Sequence, residues 1–168
     1  MDPMKFIVSA DEIVQGIWVG NEAASQDKTW LTKNRIHVIV NCTKHIPFVD
    51  GNYVKFRIPV NDPGKEAELE QSDVSIMFNA LPAITKVIHE YRKRTTKINI
   101  LIHCHAGMQR SATVCAAYIS RFIIYPQIKD RRKSMDHAIN LIIDRRPIAF
   151  NAGSSINFKA ALDRFLLI

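Results

Sequence analysis

Cysteine is scarce: three thiols, Cys42, Cys104 and Cys115, stand in 168 residues. A small and odd number excludes a disulfide framework and fits a reducing compartment. Long apolar runs are missing too. None approaches the roughly 20 residues that span a bilayer, and the first ten residues lack the apolar core of a secretory signal. No segment is of low complexity and none repeats, so neither a repeat array nor a disordered tail is expected. Acidic residues are in deficit, 16 Asp and Glu against 23 Lys and Arg, and the formal charge is +7. That balance favours anionic partners, whether phosphate groups, nucleic acid or acidic membranes, without choosing among them.

What is present suffices for one core. Apolar residues make up 47% of the chain, and a chain of this length buries roughly two-thirds of its unfolded surface. A single domain over residues 1–168, without a linker, is expected. Short apolar runs closed by polar residues predict strands at 17–19, 37–40, 53–60 and 98–102. Asn21 is placed to cap a short helix through Ala24, and another short helix is expected over 28–34. Asn61-Asp62-Pro63-Gly64 reads as a turn, followed by an exposed acidic loop with Glu66, Glu68 and Glu70. Val74, Met77, Phe78, Leu81, Ile84, Ile88 and Tyr91 recur at helical spacing, and Pro82 predicts a kink or restart there. Residues 111–124 read as a mostly buried helix ended by Pro126. Met135, Ala138, Ile139 and Ile142 mark a further helix. Phe158, Ala161, Leu162 and Phe165 mark the last, with Ser154 or Ser155 as its cap. Strands alternating with helices imply an α/β fold, a central mixed sheet of four or five strands flanked by helices.

The segment that carries chemistry is His103-Cys104-His105-Ala106-Gly107-Met108-Gln109-Arg110-Ser111, fed by a strand and left by a helix. Such a loop turns the backbone N–H groups of His105, Ala106, Gly107, Met108 and Gln109 inward, and the helix adds its positive end. Together they cradle a phosphate. Gly107 permits the tight path, and the planar fork of Arg110 can grip two phosphate oxygens. In this field Cys104 is expected as a thiolate, since comparable sites lower a thiol pKa to about 3.5–7.5. A thiolate beneath a phosphate is poised to attack phosphorus. Ser111 can donate to the sulfur when it leaves, and His103 can buttress the loop.

Cys104, five residues and Arg110 resemble the Cys-x5-Arg signature of the protein tyrosine phosphatase superfamily. The fuller form, His-Cys-x-x-Gly-x-x-Arg-Ser, is similar to that of the dual-specificity phosphatases. The resemblance runs from about Ile13 to the C-terminus. It takes in Ile17-Trp18-Val19-Gly20-Asn21, Val38-Ile39-Val40-Asn41-Cys42-Thr43, Ser111-Ala112-Thr113 with Ala117-Tyr118, and Arg146-Pro147 through Asn151-Ala152-Gly153 to Phe158. Between Gly153 and Phe158 the spacing is slightly longer than usual. The resemblance implies a compact domain of protein tyrosine phosphatase type with a shallow pocket. It implies loop support from Asn41 and a general acid on the loop after the third strand. Ile58-Pro59-Val60-Asn61-Asp62 is similar to the family's Ile-Pro-x-x-Asp, which makes Asp62 the acid, with Asp50 and Asp73 as fallbacks. Neither a metal nor an organic cofactor is implied.

The bland readings stand beside these. Cys42 and Cys115 lie in apolar runs and are expected in the core. Asp62 could simply form the turn before Pro-Gly, and Asn41 could satisfy backbone groups at the sheet edge. His103, Cys104 and His105 are too close in sequence to converge on one metal ion. The basic runs at 92–94, 131–133 and 145–146 are expected on solvated faces or at helix ends. The implied partners are phosphorylated proteins, on phosphotyrosine and phosphoserine or phosphothreonine. The same chemistry on RNA 5′-phosphates or phosphoinositides is the alternative. Family cues speak against it: the loop carries no lysine, and Ser111 stands where RNA-directed relatives tend to have Thr. A phosphate-binding module without turnover is a further alternative, disfavoured because Cys104, Arg110 and Asp62 are all kept. Cytoplasmic residence is expected, with nuclear or virion association as other options. The 23 isoleucines suit an AT-rich genome such as that of a large DNA virus.

Overall fold

The computed structural model describes residues 7–62, 69–95 and 97–168. Its strands are β1 (Ala10–Val14), β2 (Ile17–Gly20), β3 (Ile36–Asn41), β4 (Val54–Arg57) and β5 (Asn99–His103). They form one mixed sheet in the order β1-β2-β5-β3-β4. β1 runs antiparallel to β2, and the other three neighbouring pairs are parallel. β1 escapes the sequence reading because Asp11 and Glu12 interrupt its apolar character. Pairing with β2 makes it a strand, and its Ile13 enters the core. β4 is shorter than the expected 53–60. Pro59 has no N–H for a ladder, and Ile58 and Val60 are buried past the strand's end.

The helices are α1 (Glu22–Gln26), α2 (Lys28–Lys33), α3 (Gln71–Arg94), α4 (Arg110–Tyr118), α5 (Tyr125–Ile128), α6 (Arg131–Arg145) and α7 (Lys159–Phe165). A π-helical stretch, Ile119–Ile124, joins α4 to α5. Asn21 caps α1 as expected, its Oδ1 accepting from the Ala24 N–H at 3.0 Å. α3 runs unbroken through Pro82. Its stripe of Val74, Met77, Leu81, Ile84 and Ile88 is buried on both sides of the proline, and this packing outweighs the single hydrogen bond that the proline forfeits. Pro126 does not end the helix after the loop either. It sits in the first turn of α5, where its missing N–H costs little. α7 begins without a side-chain cap. Ser154 instead donates to the Asn151 carbonyl and Ser155 accepts from the Asn151 amide. Pro63, Gly64, Glu66 and Glu68 of the expected turn and acidic loop lie outside the described residues.

Both faces of the sheet are covered, and successive residues of β5 show it. Ile100 and Ile102 pack into the larger core with α3, α4, α6 and α7. Leu101 points the other way, into a smaller cluster with Ala24, Leu31 and Ile39, against which Trp18 and Trp30 meet edge to face. A strand buried on both faces is what its continuous apolar run predicts. Gly20 and Asn41 are each in register with His103. The carboxyl ends of β2, β5 and β3 therefore meet at one edge, where ligands bind in open α/β sheets. Among the described residues, no helix is long and apolar enough to cross a membrane.

Candidate active site

β5 delivers the chain to this edge at His103, and α4 leaves it at Arg110. Between them the backbone closes into a loop around the Cys104 sulfur. Gly107 has φ +69°, and a Cβ there would lie 2.7 Å from the Gly20 carbonyl and 2.8 Å from Arg146 Nη2. Only glycine fits that approach. The Gly107 N–H donates to Cys104 Sγ at 3.3 Å, and Ser111 Oγ lies 3.2 Å from the same sulfur.

Cys104 is 2% exposed, at the base of a cleft lined by Asp62, His105, Met108, Arg110, Asn151 and Asn157. Burial pushes its thiol up. The Arg110 guanidinium, the Ser111 hydroxyl and amide and the Gly107 amide outweigh that push and hold it below the ordinary cysteine value. The other two thiols go the opposite way. Burial, with Cys104 alongside, drives Cys42 well above its usual range, and burial alone drives Cys115 up. All three are free. One cysteine thus sits where the thiolate is favoured, and two are core, as their apolar sequence surroundings imply.

Asp62 reaches the same cleft from the segment after β4. Arg110 Nη1 donates to the Val60 carbonyl at 3.2 Å, tying the loop to that segment. Asp73, one fallback acid, is buried and structural: its carboxylate accepts from the Asn61 N–H at 3.0 Å and meets Lys44 at 3.4 Å. Asp50, the other, is exposed and outside the cleft lining.

Of the two expected supporting residues, His103 lies against the loop and the Asn41 side chain hydrogen-bonds backbone after its own strand. Its Oδ1 accepts from the Thr43 N–H at 3.1 Å and the Thr43 hydroxyl at 2.6 Å, and its Nδ2 donates to the Ile46 carbonyl at 2.8 Å. These bonds shape the turn after β3. His103 is buried under the loop, its Nδ1 3.4 Å from the Cys104 carbonyl. The His105 side chain points outward, 3.7 Å from Glu22. Among the described residues, no three His, Cys, Asp or Glu side chains are grouped to hold a metal ion.

The residue that grips the loop is Arg146, one of a basic pair expected on a solvated face or at a helix end. It does stand at a helix end, after α6, but it is 1% exposed. Its Nε donates to the Gly107 carbonyl at 2.7 Å, Nη2 to Ala106 at 3.0 Å and Nη1 to the Asp11 carboxylate at 2.8 Å. The signal was an arginine followed by Pro147 and the apolar Ile148-Ala149-Phe150, a poor setting for a solvated charge. Asn157 was missed as well, and Gln109 was read only for its backbone N–H. Gln109 Oε1 accepts from the Asn157 N–H, and Asn157 Nδ2 donates to Asp62.

A family model described as the dual specificity phosphatase catalytic domain matches residues 17–165. The chain belongs to this family. A putative tyrosine phosphatase, 123R, of Invertebrate iridescent virus 6 is 30% identical over 115 residues, which cover 68% of this chain and 74% of that protein. Dual specificity protein phosphatase 21 of Homo sapiens is 31% identical over 119 residues, covering 69% of this chain but only 56% of that protein. The viral relative fits the compositional expectation of origin. The crystal structure of human DUSP28 superposes with a TM-score of 0.71 at 19% identity, over 94% of this chain and 93% of that one, a likeness of fold.

Proposed function

We propose that this phosphatase-family chain removes phosphate from phosphotyrosine and from phosphoserine or phosphothreonine in proteins, by way of a phosphocysteine. The observation that carries the reading is Cys104: a buried sulfur at the floor of an open cleft, bonded by the Gly107 amide and Ser111 hydroxyl and shifted toward thiolate beside Arg110. In the first step the Cys104 thiolate attacks phosphorus and the P–O bond to the substrate breaks. Arg110 and the loop amides hold the equatorial oxygens, and Asp62 gives its proton to the departing oxygen. In the second step water attacks the phosphocysteine. Asp62 takes the water's proton, the P–S bond breaks, and Ser111 donates to the sulfur as the thiolate returns. The residues contribute positioning and electrostatics, as in other phosphoryl transfers.

Protein substrates fit the family. RNA 5′-phosphates, phosphoinositides and binding without turnover gain no support from it. The proposed setting is intracellular, where Cys104 stays reduced. The test is phosphate release from phosphotyrosyl and phosphothreonyl peptides in EDTA and reductant, for wild type and Cys104→Ser. Release by the wild type and none by the variant supports the reading. Equal rates in both, or no release from either peptide by folded wild type, overturns it.

A further inference from the structure

Asp62 is gripped from the far end of the chain. Asn157, 95 residues on, places its Nδ2 3.1 Å from Asp62 Oδ1 and 3.0 Å from Oδ2, and so donates to the carboxylate. Asn157 is itself fixed by the phosphate loop: its backbone N–H donates to Gln109 Oε1 at 3.0 Å, and Gln109 Nε2 donates to the Ser155 carbonyl at 3.0 Å. Gln109 is buried and is the N-cap residue of α4, two residues from Gly107. Three segments distant in sequence thus close one circuit: Gln109 of the loop, 155–157 before α7, and Asp62. Asn157 also lines the cleft.

We propose that Asn157 is the positioning residue of the general acid, and that Gln109 sets Asn157 in register with the phosphate loop. A neutral amide suits the task. It fixes the carboxyl group's direction while favouring the ionised form less than a cation beside it would. The circuit keeps the acid at a set distance from phosphorus, because both hang on the same loop. Displacements of about 1 Å are enough to cost roughly a hundredfold in such geometry.

The proposal rests on Asp62 as the acid, and its test separates the two. Proton donation matters when the leaving oxygen is basic, as in phenyl phosphate, and little when it is a strongly acidic nitrophenol, as in 2,4-dinitrophenyl phosphate. The quantity to read is the ratio of kcat/KM for these two esters, in wild type, Asn157→Ala, Asn157→Asp, Asp62→Asn and the Asp62→Asn/Asn157→Ala double variant. Asn157→Asp keeps the shape and puts an acceptor oxygen where the Nδ2 donor stood, so it reports on positioning even where the alanine variant folds poorly. The expected result is a fall in the ratio of about tenfold for either Asn157 variant, a larger fall for Asp62→Asn, and no further fall in the double variant. A proportional loss on both esters by the Asn157 variants, or an additive effect in the double variant, overturns the positioning role while Asp62 stands. An unchanged ratio in Asp62→Asn overturns the acid assignment, and the proposal with it.

Discussion

His103 shows how a single buried side chain ties the site to pH. It ends the central strand with no exposed surface, its Nδ1 has a 3.4 Å contact to the Cys104 carbonyl, and its Nε2 has no hydrogen-bond partner among the described residues. Burial drives its pKa down from 6.5 to about 4. The Cys104 carbonyl opposes this, and Arg57 and Arg110 reinforce it. Between pH 6.5 and 4 the unfolded chain therefore binds a proton that the folded chain refuses, and stability falls as pH falls through that window. The loss attributable to this residue is about 3 kcal/mol at the acid end. Urea midpoints measured across the window should drop more steeply for wild type than for His103→Gln, which cannot titrate. Parallel curves would show that His103 carries none of the acid sensitivity. The residues proposed to do chemistry were legible for a related reason: Cys104, Gly107, Arg110 and Ser111 stand at the offsets of a phosphate loop. Asp62 was legible through its strand. Arg146 and Asn157 were not, because their meaning lies in carbonyls and a carboxylate far away in the chain.

At the scale of elements, the loop between β5 and α4 depends on the end of α6. Arg146 holds two loop carbonyls and one carboxylate from a buried position, and its ion-pair partner Asp11 is 42% exposed. The two partners should then differ in weight. Arg146→Ala strands the Gly107 and Ala106 carbonyls and should cost about 3 kcal/mol of stability, since a buried acceptor left without its donor costs roughly 1–3 kcal/mol. It should also lower kcat/KM beyond what unfolding explains, since the loop loses its brace. Asp11→Asn removes a solvent-screened charge and should cost less than about 1 kcal/mol. Denaturant titration and peptide kinetics on both variants decide the matter. Equal losses would mean that the ion pair, not the carbonyl bonds, secures the loop. Elements were readable where periodicity is strong, as in α3 and β5. They were misread where context overrides local preference: β1 is a strand because β2 pairs with it, and α3 does not restart at Pro82 because its stripe is buried on both sides.

The whole molecule gathers the carboxyl ends of three strands at one edge and sets the cleft there, in a chain with a formal charge of +7. The alternation of strands and helices made that architecture readable, because a parallel sheet covered on both faces is the ordinary outcome of such a pattern. Part of the basic complement is structural: Arg57, Arg121 and Arg146 donate to backbone carbonyls. Several exposed cations are paired, Lys159 and Arg132 with Asp163 and Lys93 with Glu90, and surface pairs of this kind add little stability. What remains is a positive field, and a field acts on encounter with an anion. It should therefore distinguish substrates by the charge around their phosphate. For a phosphotyrosyl peptide with acidic flanks, kcat/KM should fall roughly threefold to tenfold between about 50 mM and about 500 mM salt, as screening shortens the field to a few ångströms. The same peptide with basic flanks should start slower and change little, because its net charge gains nothing from the field. Matching salt slopes for the two peptides would show that recognition is confined to the phosphate loop, and that the surplus lysines and arginines play no part in substrate encounter.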